Sequence, residues 1–199
     1  MTAHLTREEW MESAADELRE RVFSPAGFTV PPFRVSPGFP AGARGSGKAR
    51  RIGECFSGAH AEDGIPQVFV APTVEDSVEV LEILAHEMIH VSGRMNHKRN
   101  DFGAMAIGIG FAAPFTSTPV TERLLVELHA IARDLGDYPH AALNLKDRKK
   151  QSTRMVKLIC DAGHCDAAVR ASRKQINTHT FLHTCYGMQR RLVPESAES

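Results

Sequence analysis

The sequence predicts an α+β fold: helices with a small sheet, followed by a small β module. Apolar residues recur at helical spacing in several stretches, and short strand-like runs lie between Pro- and Gly-rich turns. Three of the four cysteines fall at positions 160, 165 and 185, so the last part of the chain reads as a separate module.

The elements follow in order. Trp10, Ala14, Leu18 and Val22 approximate one stripe of a helix over residues 6–22. Residues 25–40 are rich in Pro and Gly, with one short strand expected around 33–35. Residues 41–51 form a basic glycine-rich loop that nearly matches G-x-x-x-x-G-K-[ST]. Ala49 replaces the hydroxyl, and Pro37 and Pro40 break any entering strand, so nucleotide binding is not expected. Strands are expected over 51–56 and 67–71, separated by a turn at 60–64.

Thr73-Val74-Glu75-Asp76 reads as a helix start of capping-box type. Val74, Val78, Leu81, Leu84, Ala85, Met88 and Ile89 then keep helical spacing up to Gly93. A small-residue apolar helix is expected over 102–111. Thr118-Pro119 is expected to open another, with Val120, Leu124, Leu128, Ile131 and Leu135 on one face and Gly136 as the stop. Residues 144–153 read as a polar linker. Short strands around a turn follow at 155–160 and 167–172.

The 199 residues carry no net formal charge, and 42% are hydrophobic, enough for a real core. The charge is unevenly spread. Between Ala141 and Val193, eleven basic side chains face only Asp147, Asp161 and Asp166, an excess of eight, while the first helix is acidic. This asymmetry points to a polyanion-binding C-terminal part, with DNA as the expected partner. No signal peptide or membrane span is read, so a cytoplasmic protein is expected. Four cysteines in that compartment suit metal binding or burial rather than disulfides. Nothing in the sequence argues against a monomer.

The chemistry is concentrated at His86-Glu87-Met88-Ile89-His90. On a helix, i and i+4 share a face, so His86 and His90 can grip one Zn²⁺ with Glu87 beside it to polarise water. A catalytic zinc needs a third protein ligand and an open position. His97 is the candidate, with Asp101 as competitor. In the C-terminal segment, Cys160, Cys165 and Cys185 suit a second, structural zinc, with His183 as the best fourth ligand and His164 or His179 behind it. Cys55 reads as a small core residue.

These motifs, with Leu5-Thr6-Arg7-Glu8-Glu9-Trp10, Ile52-Gly53-Glu54-Cys55-Phe56-Ser57, Val68-Phe69-Val70-Ala71-Pro72, the segments 97–102 and 135–143, and Lys150-Gln151-Ser152-Thr153-Arg154, resemble the SprT-like (Spartan-type) zinc metallopeptidases. The similarity is greatest to their short phage and bacterial members. The resemblance implies a compact zincin-like peptidase domain over residues 1–143, a linker at 144–153, a zinc-ribbon-like module over 154–193 and a tail at 194–199. It implies His86, His90 and His97 on zinc and Glu87 as general base. Two departures stand out. The spacing from His97 to Phe102 is one residue longer than in the family, and no ligand follows just after Cys185.

The expected activity is zinc-dependent hydrolysis of peptide bonds in DNA-associated proteins. The strand at 67–71 is the expected edge for an extended substrate. A nucleic-acid-binding accessory protein with structural zinc, and a zinc amidohydrolase of small substrates, are the other readings.

Overall fold

The computed structural model describes residues 4–40, 52–117, 119–145, 155–163 and 165–195. It is α+β, and it divides into two compact units, Met1–Leu145 and Lys146–Ser199. The near-match to a phosphate loop, most of the 144–153 linker, His164 and residues 196–199 lie outside the described residues. No helix among the described residues is long and apolar enough to cross a membrane.

In the first unit, α1 (Arg7–Leu18) starts at a full capping box. Thr6 Oγ1 accepts the Glu9 N–H, and the Glu9 carboxylate accepts the Thr6 N–H. Trp10, Ala14 and Leu18 are fully buried, and the chain continues as a π turn that buries Val22 and Phe23. Arg7 is buried at the helix start. Its guanidinium donates to the carbonyls of Pro72, Pro139, His140 and Ala141, and it stacks over the Tyr138 ring. One side chain thus ties the first helix to two distant loops while keeping its charge fully hydrogen-bonded.

The sheet comprises β1 (Arg34–Pro37), β2 (Gly53–Phe56) and β3 (Gln67–Val70) in the order β1-β3-β2. β1 runs parallel to β3, and β2 runs antiparallel to it. This corrects the expected substrate edge. Residues 67–70 form the central strand, with both flanks already hydrogen-bonded, and β2 is an edge among the described residues. Val68 and Val70 are buried on both counts of position and type, as a central strand requires.

Helix α2 (Ser77–Val91) packs on this sheet and begins later than the sequence suggests. Asp76 is itself the N-cap, its carboxylate accepting the Glu79 N–H at 2.8 Å. Thr73–Glu75 instead belong to a turn closed by Val74 N–H donating to Ala71 O. Helix α3 (Asn100–Ile109) ends at Gly110, whose φ of 110° is open to glycine. Helix α4 (Glu122–Leu135) also starts late. Pro119 and Val120 are spent in a bridge to the 111–112 segment, and the Thr121 hydroxyl donates to Gly110 O rather than capping. Leu124, Leu128 and Ile131 are buried, and Gly136 ends the helix.

The second unit holds β4 (Val156–Cys160), β5 (Ala168–Ala171), α5 (Arg173–Thr178), β6 (Leu182–Cys185) and β7 (Met188–Pro194). The strands form an antiparallel sheet in the order β5-β4-β7-β6. The short α5 was not anticipated, although Ser172-Arg173-Lys174-Gln175 spells a capping box that is fully formed. The core is small: among the described residues Leu158, Cys160, Ala171, Cys185 and Leu192 are the buried ones.

Candidate metal centres

The first cluster is built on α2. His86 and His90, one turn apart, both face the segment that leaves the helix at Gly93, whose φ of 83° turns the chain back. That turn delivers His97. Its Nε2 lies 3.0 Å from His86 Nε2 and 3.1 Å from His90 Nε2. For metal–nitrogen bonds of about 2.0–2.1 Å, the edge of a coordination tetrahedron is about 3.3 Å. The three nitrogens therefore stand close to the separation that a shared ion imposes, and the cluster can hold a metal ion.

The rings are held from behind. The His90 Nδ1–H donates to Arg94 O at 2.8 Å, which leaves the Nε2 lone pair for the cluster. Phe102, fully buried at the start of α3, lies 4.7–5.5 Å from all three imidazole centroids and forms their apolar floor. The chain turns through residues 96–99 on its way to α3: the Asn96 side chain accepts the Lys98 N–H, and the Asn96 carbonyl accepts the Arg99 N–H. Asp101, the alternative third ligand, is turned away: its carboxylate accepts the Phe102 N–H and faces Arg99.

Electrostatics favour neutral rings. Burial, aided by the neighbouring His90 and His97, pushes the His86 imidazole down to about 3. Burial also lowers His90, against the opposing hydrogen bond to Arg94 O. Protons therefore compete weakly for these nitrogens at neutral pH. The sign follows for the metal-free protein. Its unfolded histidines, near 6.5, bind more protons than the folded ones. Stability is thus fully present above about pH 6.5 and is lost as pH falls towards about 3. Urea titrations of metal-free protein should give a higher midpoint at pH 7.5 than at pH 5.5. An equal or lower midpoint would contradict the buried neutral pair.

Glu87 is 5% exposed and points from α2 towards β2, not into solvent. An ideal Cβ on Gly53 would sit 2.6 Å from Glu87 Oε1, so the carboxylate occupies the room left by that glycine. Cys55, on the same side of β2, is pushed up to about 12 by burial and then by the Glu87 charge. It is a half-buried thiol packed against the edge of the core rather than within it.

The second cluster unites Cys160, Cys165, His183 and Cys185, whose ligand atoms all lie within 4.8 Å of one another. Cys160 ends β4, and Gly163 (φ 68°) turns the chain towards Cys165. The β6–β7 hairpin turns at Tyr186-Gly187, both at positive φ, in the manner of a type I′ turn. His183 and Cys185 are two apart on β6, so they share a face. This explains why no ligand is needed after Cys185: the fourth comes from the strand before it. His183 Nε2 lies 3.8 Å from Cys165 Sγ. His179 is outside the cluster, its Nδ1 paired with Thr178 Oγ1. The four donors form a closed set, in contrast to the three of the first cluster.

Sequence reasoning missed the roles of Gly53, the Arg94 carbonyl and the Phe102 floor. A glycine inside a strand-like run is the signal that could have pointed to Gly53. Comparison with family models, curated proteins and solved structures finds no match for this chain.

Proposed function

We propose that this chain is a zinc-dependent metallopeptidase, a zincin-like unit of SprT-like type with a zinc-ribbon-like module, acting on DNA-associated proteins. The observation that carries the reading is the contrast between the two clusters. One has four protein donors and closes its coordination shell. The other has three, with a buried carboxylate on the residue next to His86. A set of three donors, which leaves a fourth position open, and a buried carboxylate on the adjacent helix residue suit hydrolysis, and a purely structural site needs neither.

Zinc at His86, His90 and His97 would supply Lewis acidity, acidifying water towards a pKa of about 7 and polarising the scissile carbonyl. Glu87 accepts the proton of the attacking water at its carboxylate and passes it to the leaving nitrogen. Among the described residues β2, Gly53–Phe56, is an edge strand, and an extended peptide can be placed along it because β3 is already flanked. Phe102 keeps the ligands in register and excludes water from behind them. The test is cleavage of an unfolded protein by wild type and by Glu87→Gln, with zinc counted per chain.

A specific observation supports nucleic-acid affinity, and with it the alternative of a DNA-binding accessory protein with little turnover. In the C-terminal sheet, Leu158, Cys160 and Leu192 occupy the core side. The register sets Lys157, Arg170 and Arg191 on the opposite face. Arg170 lies directly across from Lys157, and both arginines are exposed. The Lys157 ammonium is already paired with the Glu195 carboxylate at 2.6 Å, which leaves the two exposed arginines as the cations that a phosphate backbone would meet. Arg170→Ala/Arg191→Ala should weaken single-stranded oligonucleotide binding. The slope of log K against log salt should drop by about 1.4, at about 0.7 per phosphate contact. An unchanged slope would remove this face from the interface. Binding without any cleavage by wild type would favour the accessory reading.

A further inference from the structure

We propose that Gly53 is a positioning residue for Glu87: the missing side chain on the edge strand is the space in which the carboxylate is held. The inference rests on the peptidase reading and goes beyond it. Gly53 is paired with Val70 in a regular antiparallel ladder and is not one of the glycines at positive φ. Its backbone therefore has no need of glycine; its neighbours do. A Cβ there would come within 2.6 Å of both Glu87 Oε1 and Ile83 Cγ2, and 3.1 Å of Glu87 Cδ.

The two contacts would not yield equally. Ile83 is β-branched, 7% exposed and packed in the core, so its methyl has little freedom. The Glu87 carboxylate ends a flexible side chain, so the added methyl falls mainly on it. Metal binding does not depend on that carboxylate, because the three donors are imidazole nitrogens fixed by the helix, the turn at Gly93 and the Arg94 carbonyl. The site thus separates two demands. The histidines set where the ion sits, and the bare backbone of β2 sets where the base sits. The same strand carries the edge on which a peptide would lie, so the distance from base to substrate is fixed by one piece of backbone.

The test compares Gly53→Ala with Gly38→Ala in the zinc-loaded full chain. Gly38 is a matched control, since its Cβ would sit 2.7 Å from Phe69 Cδ1, as crowded but away from Glu87. Gly53→Ala should keep its zinc, lower kcat about 10- to 100-fold and leave KM within about threefold, because a displacement near 1 Å is enough for such a loss. Gly38→Ala should keep kcat within about twofold. A crystal structure of Gly53→Ala should show the Glu87 carboxylate displaced, with the three imidazoles in place. Wild-type kcat in Gly53→Ala, or an unmoved carboxylate, overturns the proposal. If Gly53→Ala does not fold, Gly53→Ala/Ile83→Ala removes the second contact and keeps the first, and the same outcomes apply. Should wild type cleave nothing, the peptidase reading falls. The carboxylate position in the variant still decides the role of Gly53.

Discussion

Replacing Glu87 with Gln should lower kcat by about three orders of magnitude while the protein keeps its fold and its metal. General-base catalysis contributes about 10²–10⁴, so a 10³-fold loss corresponds to about 4 kcal/mol of transition-state stabilisation. Glutamine has the same shape and a similar helix propensity, so the packing of residue 87 against Gly53 and Ile83 is preserved. What it lacks is an oxygen that can hold a proton. KM should change little, because the interaction lost belongs to the transition state. The measurement is steady-state cleavage of an unfolded protein, with elemental analysis and thermal melting as controls. Wild-type activity in a clean preparation of the variant would remove Glu87 from the chemistry. Loss of metal in the variant would make the residue structural instead.

The second large effect concerns the C-terminal unit. Among the described residues its core holds five buried ones, two of which, Cys160 and Cys185, belong to the second cluster. Burial on that scale rarely stabilises a small module without a staple. A structural zinc in comparable small modules contributes about 10–16 kcal/mol of apparent folding free energy. Stripping the metal with a strong chelator, or Cys160→Ser/Cys185→Ser, should therefore unfold this unit. The first unit, with its own large core from Trp10 to Tyr138, should stay folded. Wild type should carry about two zinc ions per chain, and each ligand-pair variant (His86→Ala/His90→Ala or Cys160→Ser/Cys185→Ser) about one. Hydrogen exchange read separately over β4–β7 and over α2 distinguishes the units. Continued protection of β4–β7 after chelation would mean that the cluster folds without a metal. Affinity there should also rise with pH. In the metal-free chain, burial and the neighbouring thiols push Cys185 up to about 11, so a proton must leave before it can ligate.

Much of the candidate site could be read from local rules, because the chemistry is written at helical and hairpin spacings. His86 and His90 are one turn apart on a strongly periodic helix, and the segment after Gly93 is short enough to return only a few residues to them. The cysteines of the second cluster are near turns that Gly163 and Gly187 permit. Between His97 and Asp101 the sequence is ambiguous. The choice is made by the first turn of α3, which directs Asp101 to its own backbone and Phe102 under the rings.

Helix starts were misplaced for a different reason. Thr73 and Thr118-Pro119 look like openings, but a capping residue works only where the chain is free to use it. Val74 is tied into a turn and Val120 into a bridge, so Asp76 and Thr121 mark the true starts.

Local spacing thus sufficed for the residues that form the two clusters, the helix that presents two of them and the buried stripe of α1. These depend on periodicity, which one segment carries alone. Strand order does not. Both 51–56 and 67–71 read as strands, and nothing within either run tells which lies in the middle. That depends on β1 adding parallel to β3 from far along the chain, which leaves β2 at the edge. The place of Glu87 has the same origin. Its carboxylate rests in the space of a glycine on a distant strand, and such a contact exists only once the sheet and α2 have packed together.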